Sequence, residues 1–160
     1  MDVVLKTGNG RFNFRVCAII TNSCKLLAMR DENAPYYYLP GGRVHLHETA
    51  EAAVLRELNE ELGISVEIVR LLWINQAFFV EEVSNDRFHE ICFYYLIDAS
   101  NTDLINRGDN FSRTEGKHTL RFEWLSFEDL ETKYIYPEFI KKEIFNLPER
   151  IVVNVEDRLK

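Results

Sequence analysis

Cysteine, proline and glycine are scarce, with 3, 4 and 7 copies in 160 residues. Cys17, Cys24 and Cys92 are scattered, odd in number and without a Cys-x-x-Cys pair, which excludes a disulfide framework or a thiolate zinc site and suits reduced core thiols. No Pro/Gly/Ser linker, repeat or low-complexity stretch divides the chain. Long apolar runs are also missing: Val16 to Ile20 is among the longest, far short of the roughly 20 residues that cross a bilayer. Basic residues are the minority, 19 against 26 acidic for a formal charge of -7, and they form no run, which argues against duplex nucleic acid as a partner. The start, Met1 to Lys6, lacks the basic, apolar and small-residue pattern of a secretion signal, so the cytoplasm is the expected compartment and no membrane partner is expected.

What is present fits one soluble globular domain spanning 1–160. Hydrophobic residues make up 46% and charged residues 28%, near the averages for folded domains, and the length encloses a core without staples. The acidic balance is compatible with a small phosphorylated ligand, because a divalent cation inverts the local field of an acidic pocket.

Periodicity gives the organisation. Phe12, Phe14, Val16 and Ala18 alternate with polar neighbours, which predicts a strand with one buried face; Lys25 to Arg30 reads as its partner after a turn at Asn22-Ser23. Tyr36 to Leu39 reads as a third short strand, ending at Pro40-Gly41-Gly42. Thr49 to Leu62, rich in Ala, Leu and Glu, predicts a helix capped by Gly63. Ser65 to Val80, Phe88 to Ile97 and Leu120 to Trp124 read as strands, and the polar stretch Asp98 to His118 as a long loop. Ser126 with Asp129 resembles a capping arrangement, and Pro137 is placed to open a last helix through Leu147. This order predicts a mixed α/β layered domain; dinucleotide and P-loop phosphate motifs are absent.

The informative segment runs from Gly42 to Ile64. At about 100° per residue from Ala50, Glu57 falls near 340°, Glu61 near 20° and Glu60 near 280°, so the acids share one face. Val54, Leu55, Leu58 and Leu62 fall on an apolar side expected to pack on a sheet, and Ala50 and Ala53 leave room between the carboxylates. Carboxylates three and four residues apart repel one another, which a hard cation relieves; oxygen-only ligands favour Mg²⁺ or Mn²⁺.

These residues resemble the Nudix hydrolase family (MutT-like), whose box reads Gly-x5-Glu-x7-Arg-Glu-U-x-Glu-Glu-x-Gly-U, U being a bulky aliphatic residue. Gly42, Glu48, Arg56, Glu57, Leu58, Glu60, Glu61, Gly63 and Ile64 fill every fixed position. The resemblance implies a Nudix-type α/β/α sandwich with a mixed β-sheet and a metal-binding loop-helix-loop after the third strand. It also implies Mg²⁺-dependent hydrolysis, with Mn²⁺ as substitute, of a phosphoanhydride bond in a nucleoside diphosphate linked to another group. Carried over by position, Glu57, Glu60 and Glu61 resemble metal ligands, the Gly42 carbonyl a further ligand, and Arg56 the arginine that orients Glu48 or Glu60. The alternative on the same fold is a nucleotide-binding sensor that has lost turnover. The full acid set favours the enzyme.

Outside the box the expectations are weaker. Glu115 is the first candidate for a base outside the helix, ahead of Asp109, with Glu48, Glu60 and Glu90 as fallbacks. Tyr38 and Phe79 are candidates to stack on a nucleobase, His47 to touch phosphate, and Arg11, Arg15 and Arg30, all assigned to the first hairpin, to reach a phosphate from there. His45-x-His47 reads as surface rather than a transition-metal site. The expected partner is a small nucleotide, and the expected state a monomer or homodimer.

Overall fold

A computed structural model describes residues 1–160. The larger sheet has the order β1 (Val4–Thr7), β2 (Gly10–Ile19), β7 (Arg87–Asp98), β6 (Glu67–Val80) and β10 (Val152–Asp157), with β5 (Gly41–Arg43) paired to β2. It is mixed: β2 runs parallel to β7 and β10 parallel to β6, whereas β6 and β7 are antiparallel. The smaller sheet is antiparallel, with the order β3 (Thr21–Asn22), β4 (Lys25–Asp31), β9 (His118–Ser126) and β8 (Asn110–Glu115). Two helices complete the domain, α1 (Ala50–Leu62) and the single turn α2 (Ile140–Glu143).

Alternation along β2 separates two cores. Val16, Ala18 and Ile20 join Val54, Leu58 and Leu62 of α1 on one side, whereas Cys17 and Ile19 join Ile140 and Ile144 on the other. The result is an α/β/α arrangement in which β2 is buried on both faces, not one. Each fully buried Val or Leu contributes about 1.5–3 kcal/mol, so α1 is held mainly by its apolar arc. That arc is rolled from the expected position. Ala50 and Ala53 lie inside the first core while Leu55 is exposed, because the small alanines let the helix settle closely and carry Glu61 into the buried arc.

Several expectations need correction. Lys25 to Arg30 pairs with β9, not with β2, because the chain crosses into the smaller sheet after Ile19. Tyr36 to Leu39 forms no strand: only Tyr37 and Tyr38 make bridges, to Ile135 and Met29, and flanking Pro35 and Pro40 lack the N–H groups a ladder needs. The expected loop from Asp98 to His118 contains a 3-10 turn, Leu104–Arg107, and strand β8; its polar composition is that of an edge strand with one solvated face. Ser126 makes no side-chain cap bond, the last helix reaches only Ile140–Glu143, and β10 is a strand the sequence reading did not identify. Of the cysteines, Cys17 and Cys92 are buried, but Cys24 is exposed.

Candidate functional site

The segment β5–α1 assembles the acidic residues. Thr49 caps α1 by accepting from Ala52 N, and Gly63 closes it in the left-handed region at φ 66°. The helix has no basic residue in its last turn; Arg107 and Arg113 instead donate to Leu62 O at 2.9 and 2.8 Å. A Cβ on Gly63 would meet Arg113 Nη1 at 2.5 Å, so glycine there serves both the backbone and this dock. The dock brings β8 against α1 and Glu115 into electrostatic range of Glu61.

Arg56 is the hub. Its Nε and Nη2 donate to the two oxygens of Glu48 at 2.8 and 3.0 Å, and Nη1 donates to Glu57 at 2.7 Å and Glu60 at 3.2 Å. Nη2 also donates to Arg43 O at 2.9 Å, tying the helix to β5. The guanidinium fork, aided by the His45 backbone N–H, holds the Glu48 carboxyl down to about 2. Glu48 is thus the most firmly ionised acid of the group, and its hydrogen-bonding capacity is spent on structure.

Glu57 and Glu61 sit differently. The Glu57 carboxylate lies against Gly42, where any Cβ would collide with it, so glycine at this position admits the carboxylate to the β5 backbone. Burial pushes the Glu57 carboxyl up despite Arg56. Glu61 is only 6% exposed and accepts from Gly41 N at 3.0 Å; burial first, then the nearby Glu57 charge, raises it well above the carboxylate range. Glu60 remains half-exposed on the Arg56 side. No three His, Cys, Asp or Glu side chains close into a ready metal cage.

Beside Glu57 and Gly42 opens a cavity of about 570 Å³, floored by β2, β7, β6 and β10. Tyr38 and Phe79 line it together with Arg15, Asn13, Asn75 and Glu90. Arg158 stacks on Phe79 and Tyr136, 5.2 and 4.5 Å from the ring centroids. Arg30 and His47 are elsewhere. Arg30 stacks on Tyr37 at 5.0 Å in a separate hollow of the smaller sheet, since β4 left the larger sheet, and His47 is exposed in a left-handed turn at φ 68°. Asp109 is bound to Lys25 at 2.9 Å, whereas Glu115 ends β8, the strand that packs beside α1.

Arg11 and Arg15 of β2 also line the cavity, whereas Asn13, Asn75 and Glu156 carry no sequence signal for it, because the floor is assembled only when β2, β7, β6 and β10 lie side by side.

A family model for the NUDIX domain matches residues 11–145. The chain belongs to the Nudix family. Among relatives of this Nudix chain is the ADP-ribose pyrophosphatase of Methanocaldococcus jannaschii, 31% identical over 103 residues that make up 62% of this chain and 58% of that protein. A Nudix protein of Caenorhabditis elegans is 31% identical over 99 residues, 62% of this chain and 23% of its own length. The chain therefore spans less than two thirds of either relative. Among solved structures, the MutT protein of Bacillus halodurans superposes with a TM-score of 0.64 at 17% identity, covering 91% of this chain and 89% of that one. An ADP-ribose pyrophosphatase from Streptococcus suis superposes with a TM-score of 0.56 at 18% identity, covering 90% of this chain and 98% of that one. These structures share the Nudix fold described above.

Proposed function

We propose that the chain is a pyrophosphohydrolase that cleaves a phosphoanhydride bond of a small nucleotide of the form nucleoside diphosphate-X by attack of water at phosphorus. The observation that carries this reading is the junction of the Glu57–Glu61 pair with a nucleotide-sized cavity, in a chain whose family also contains a relative named ADP-ribose pyrophosphatase.

The donor set fits a divalent cation. Glu57 and Glu61 lie on adjacent turns of α1, both with their ionised forms disfavoured by burial, and Glu115 adds a third negative charge nearby. An acidic nest of oxygen donors is what Mg²⁺ or Mn²⁺ neutralises. Glu57 and Glu61, with Glu60 and the Gly42 carbonyl beside them, would hold the ion. When bound it supplies neutralisation of phosphoryl charge and a lowered pKa for coordinated water.

The chain's own groups do the positioning. Arg56 fixes Glu57 and Glu60 while Glu48 anchors Arg56, so the acid row is ordered before substrate arrives. Arg15 faces the cavity beside Glu57 and orients phosphate oxygens. Phe79 and Tyr38 supply aromatic walls for a base. Glu115 takes the proton of the attacking water, being the carboxylate outside α1 that lies within range of Glu61.

Hydrolysis in ¹⁸O-water tests the reading. Label is expected on a phosphoryl oxygen of one product, with a nucleoside monophosphate or inorganic phosphate fragment released. Label only at a carbon-bound oxygen contradicts it.

A further inference from the structure

The cavity floor is polar where a sheet face continuous with a hydrophobic core is ordinarily apolar. Strand register arranges it in rows. Asn13 of β2 lies beside Glu90 of β7, Glu90 beside Ala77 of β6, and Ala77 beside Glu156 of β10. In the next row Arg15 lies beside Cys92, and Cys92 beside Asn75. Asn13 and Asn75 are each 3% exposed, and both line the cavity.

The Oδ1 atom of each is buried without a hydrogen-bond partner. Six buried side-chain nitrogen or oxygen atoms in the chain have no hydrogen-bond partner, and four of them belong to cavity-lining residues: Arg11, Asn13, Asn75 and Glu156. Buried polar groups are almost always paired, so four unpaired ones around one cavity mark a surface shaped for a ligand that pairs them.

The chemistry of the floor narrows that ligand. A carboxamide presents a donor and an acceptor side by side, and it pairs in two-point fashion with an amino group next to a ring nitrogen. Glu90 and Glu156 in the Asn13 row accept hydrogen bonds from amino groups and repel phosphate. The aromatic wall at Phe79 suits a flat ring, and Arg15 on the side toward Glu57 suits the phosphates. We infer that the Asn13 and Asn75 carboxamides read the amino-bearing edge of a nucleobase, so that the cavity selects nucleotides with an exocyclic amino group over analogues lacking it. This inference rests on the nucleotide reading of the site and fixes the orientation of the substrate: base on the β2–β6 floor, phosphates toward Glu57.

Binding of nucleoside monophosphates to the full chain, measured by calorimetry with chelator present, tests it without turnover. The probes are matched pairs differing in one amino group: AMP against purine riboside monophosphate, GMP against IMP, and CMP against its 4-deamino analogue. At least one pair is expected to favour the amino-bearing member by about 10- to 100-fold. Asn13→Ala and Asn75→Ala are expected to bring that ratio close to one, and Asn13→Leu and Asn75→Leu, which keep roughly the side-chain volume without any hydrogen-bonding group, serve if an alanine variant loses its circular dichroism. Absence of discrimination by the parent, or discrimination unchanged in every folded variant, overturns the inference. Turnover without discrimination sinks this inference alone, whereas discrimination without turnover sinks the hydrolytic reading and leaves the carboxamides in place.

Discussion

Replacing Arg56 by alanine should destabilise the fold in a manner that depends on pH. The guanidinium makes four bonds to carboxylates and one to the Arg43 carbonyl. They are unequal. The Glu60 contact is half-exposed and one helical turn away, an arrangement contributing about 0.3–0.5 kcal/mol. The Glu48 and Glu57 contacts join side chains that are 22%, 16% and 13% exposed, and charge-assisted bonds of this kind contribute about 1.5–3 kcal/mol each. Because they share one side chain they do not add, and the variant should lose about 2–4 kcal/mol near neutral pH. Arg56→Lys keeps the charge without the fork and should recover only part of this. The sign of the pH effect follows from Glu48, whose carboxyl is held down to about 2 from an ordinary 4.5. A folded-state value below the unfolded one gives stability that is present above the unfolded value and lost as pH falls toward the folded value. The gap between parent and variant in urea denaturation should therefore be widest near neutrality, narrow as pH falls below about 4.5 and close only toward about 2. A gap under about 0.5 kcal/mol, or one that does not change with pH, would refute the hub assignment.

Glu61 carries the opposite sign. Its carboxyl is raised by burial, so its ionisation opposes folding near neutrality; Glu61→Gln, which keeps an acceptor for Gly41 N, should raise Tm by about 2–4 °C while lowering kcat at least about 10²-fold. A thermal scan showing destabilisation would mean that the charge is compensated in the folded chain. Glu115→Gln should lower kcat, whereas Asp109→Asn should leave it at the parental value because Asp109 is engaged with Lys25. Equal kinetics for the two variants would return the search for the base to Glu48, Glu60 and Glu90.

The parts of the fold legible in the sequence were those governed by local signals. Thr49 and Gly63 bracket α1 because capping chemistry acts within one turn, and the β6 and β7 strands announce themselves through long β-branched and aromatic runs. The partner of β4, the strand β8 and the strand β10 were not legible, because each depends on a pairing between segments far apart in sequence. The polar alternation of β8 looks like a loop until β9 lies beside it. At the site, the spacing of Arg56, Glu57, Glu60 and Glu61 placed the acids on α1, but the roll of the helix that buries Glu61 and exposes Leu55 is set by packing against the sheet. Asn13 and Asn75 carry no motif; they become neighbours in a cavity only through the register of β2, β7 and β6.

The central claim is that the Glu57–Glu61 junction hydrolyses nucleotides, and the most direct measurement is product analysis by mass after incubating a nucleotide panel with the parent chain and with Glu57→Gln, each with Mg²⁺ and with chelator. The account predicts phosphoanhydride cleavage by the parent with Mg²⁺, abolished by chelator without unfolding and reduced at least about 10²-fold in the variant. No cleavage of any member of the panel, or cleavage by Glu57→Gln at the parental rate with saturating Mg²⁺, would contradict it.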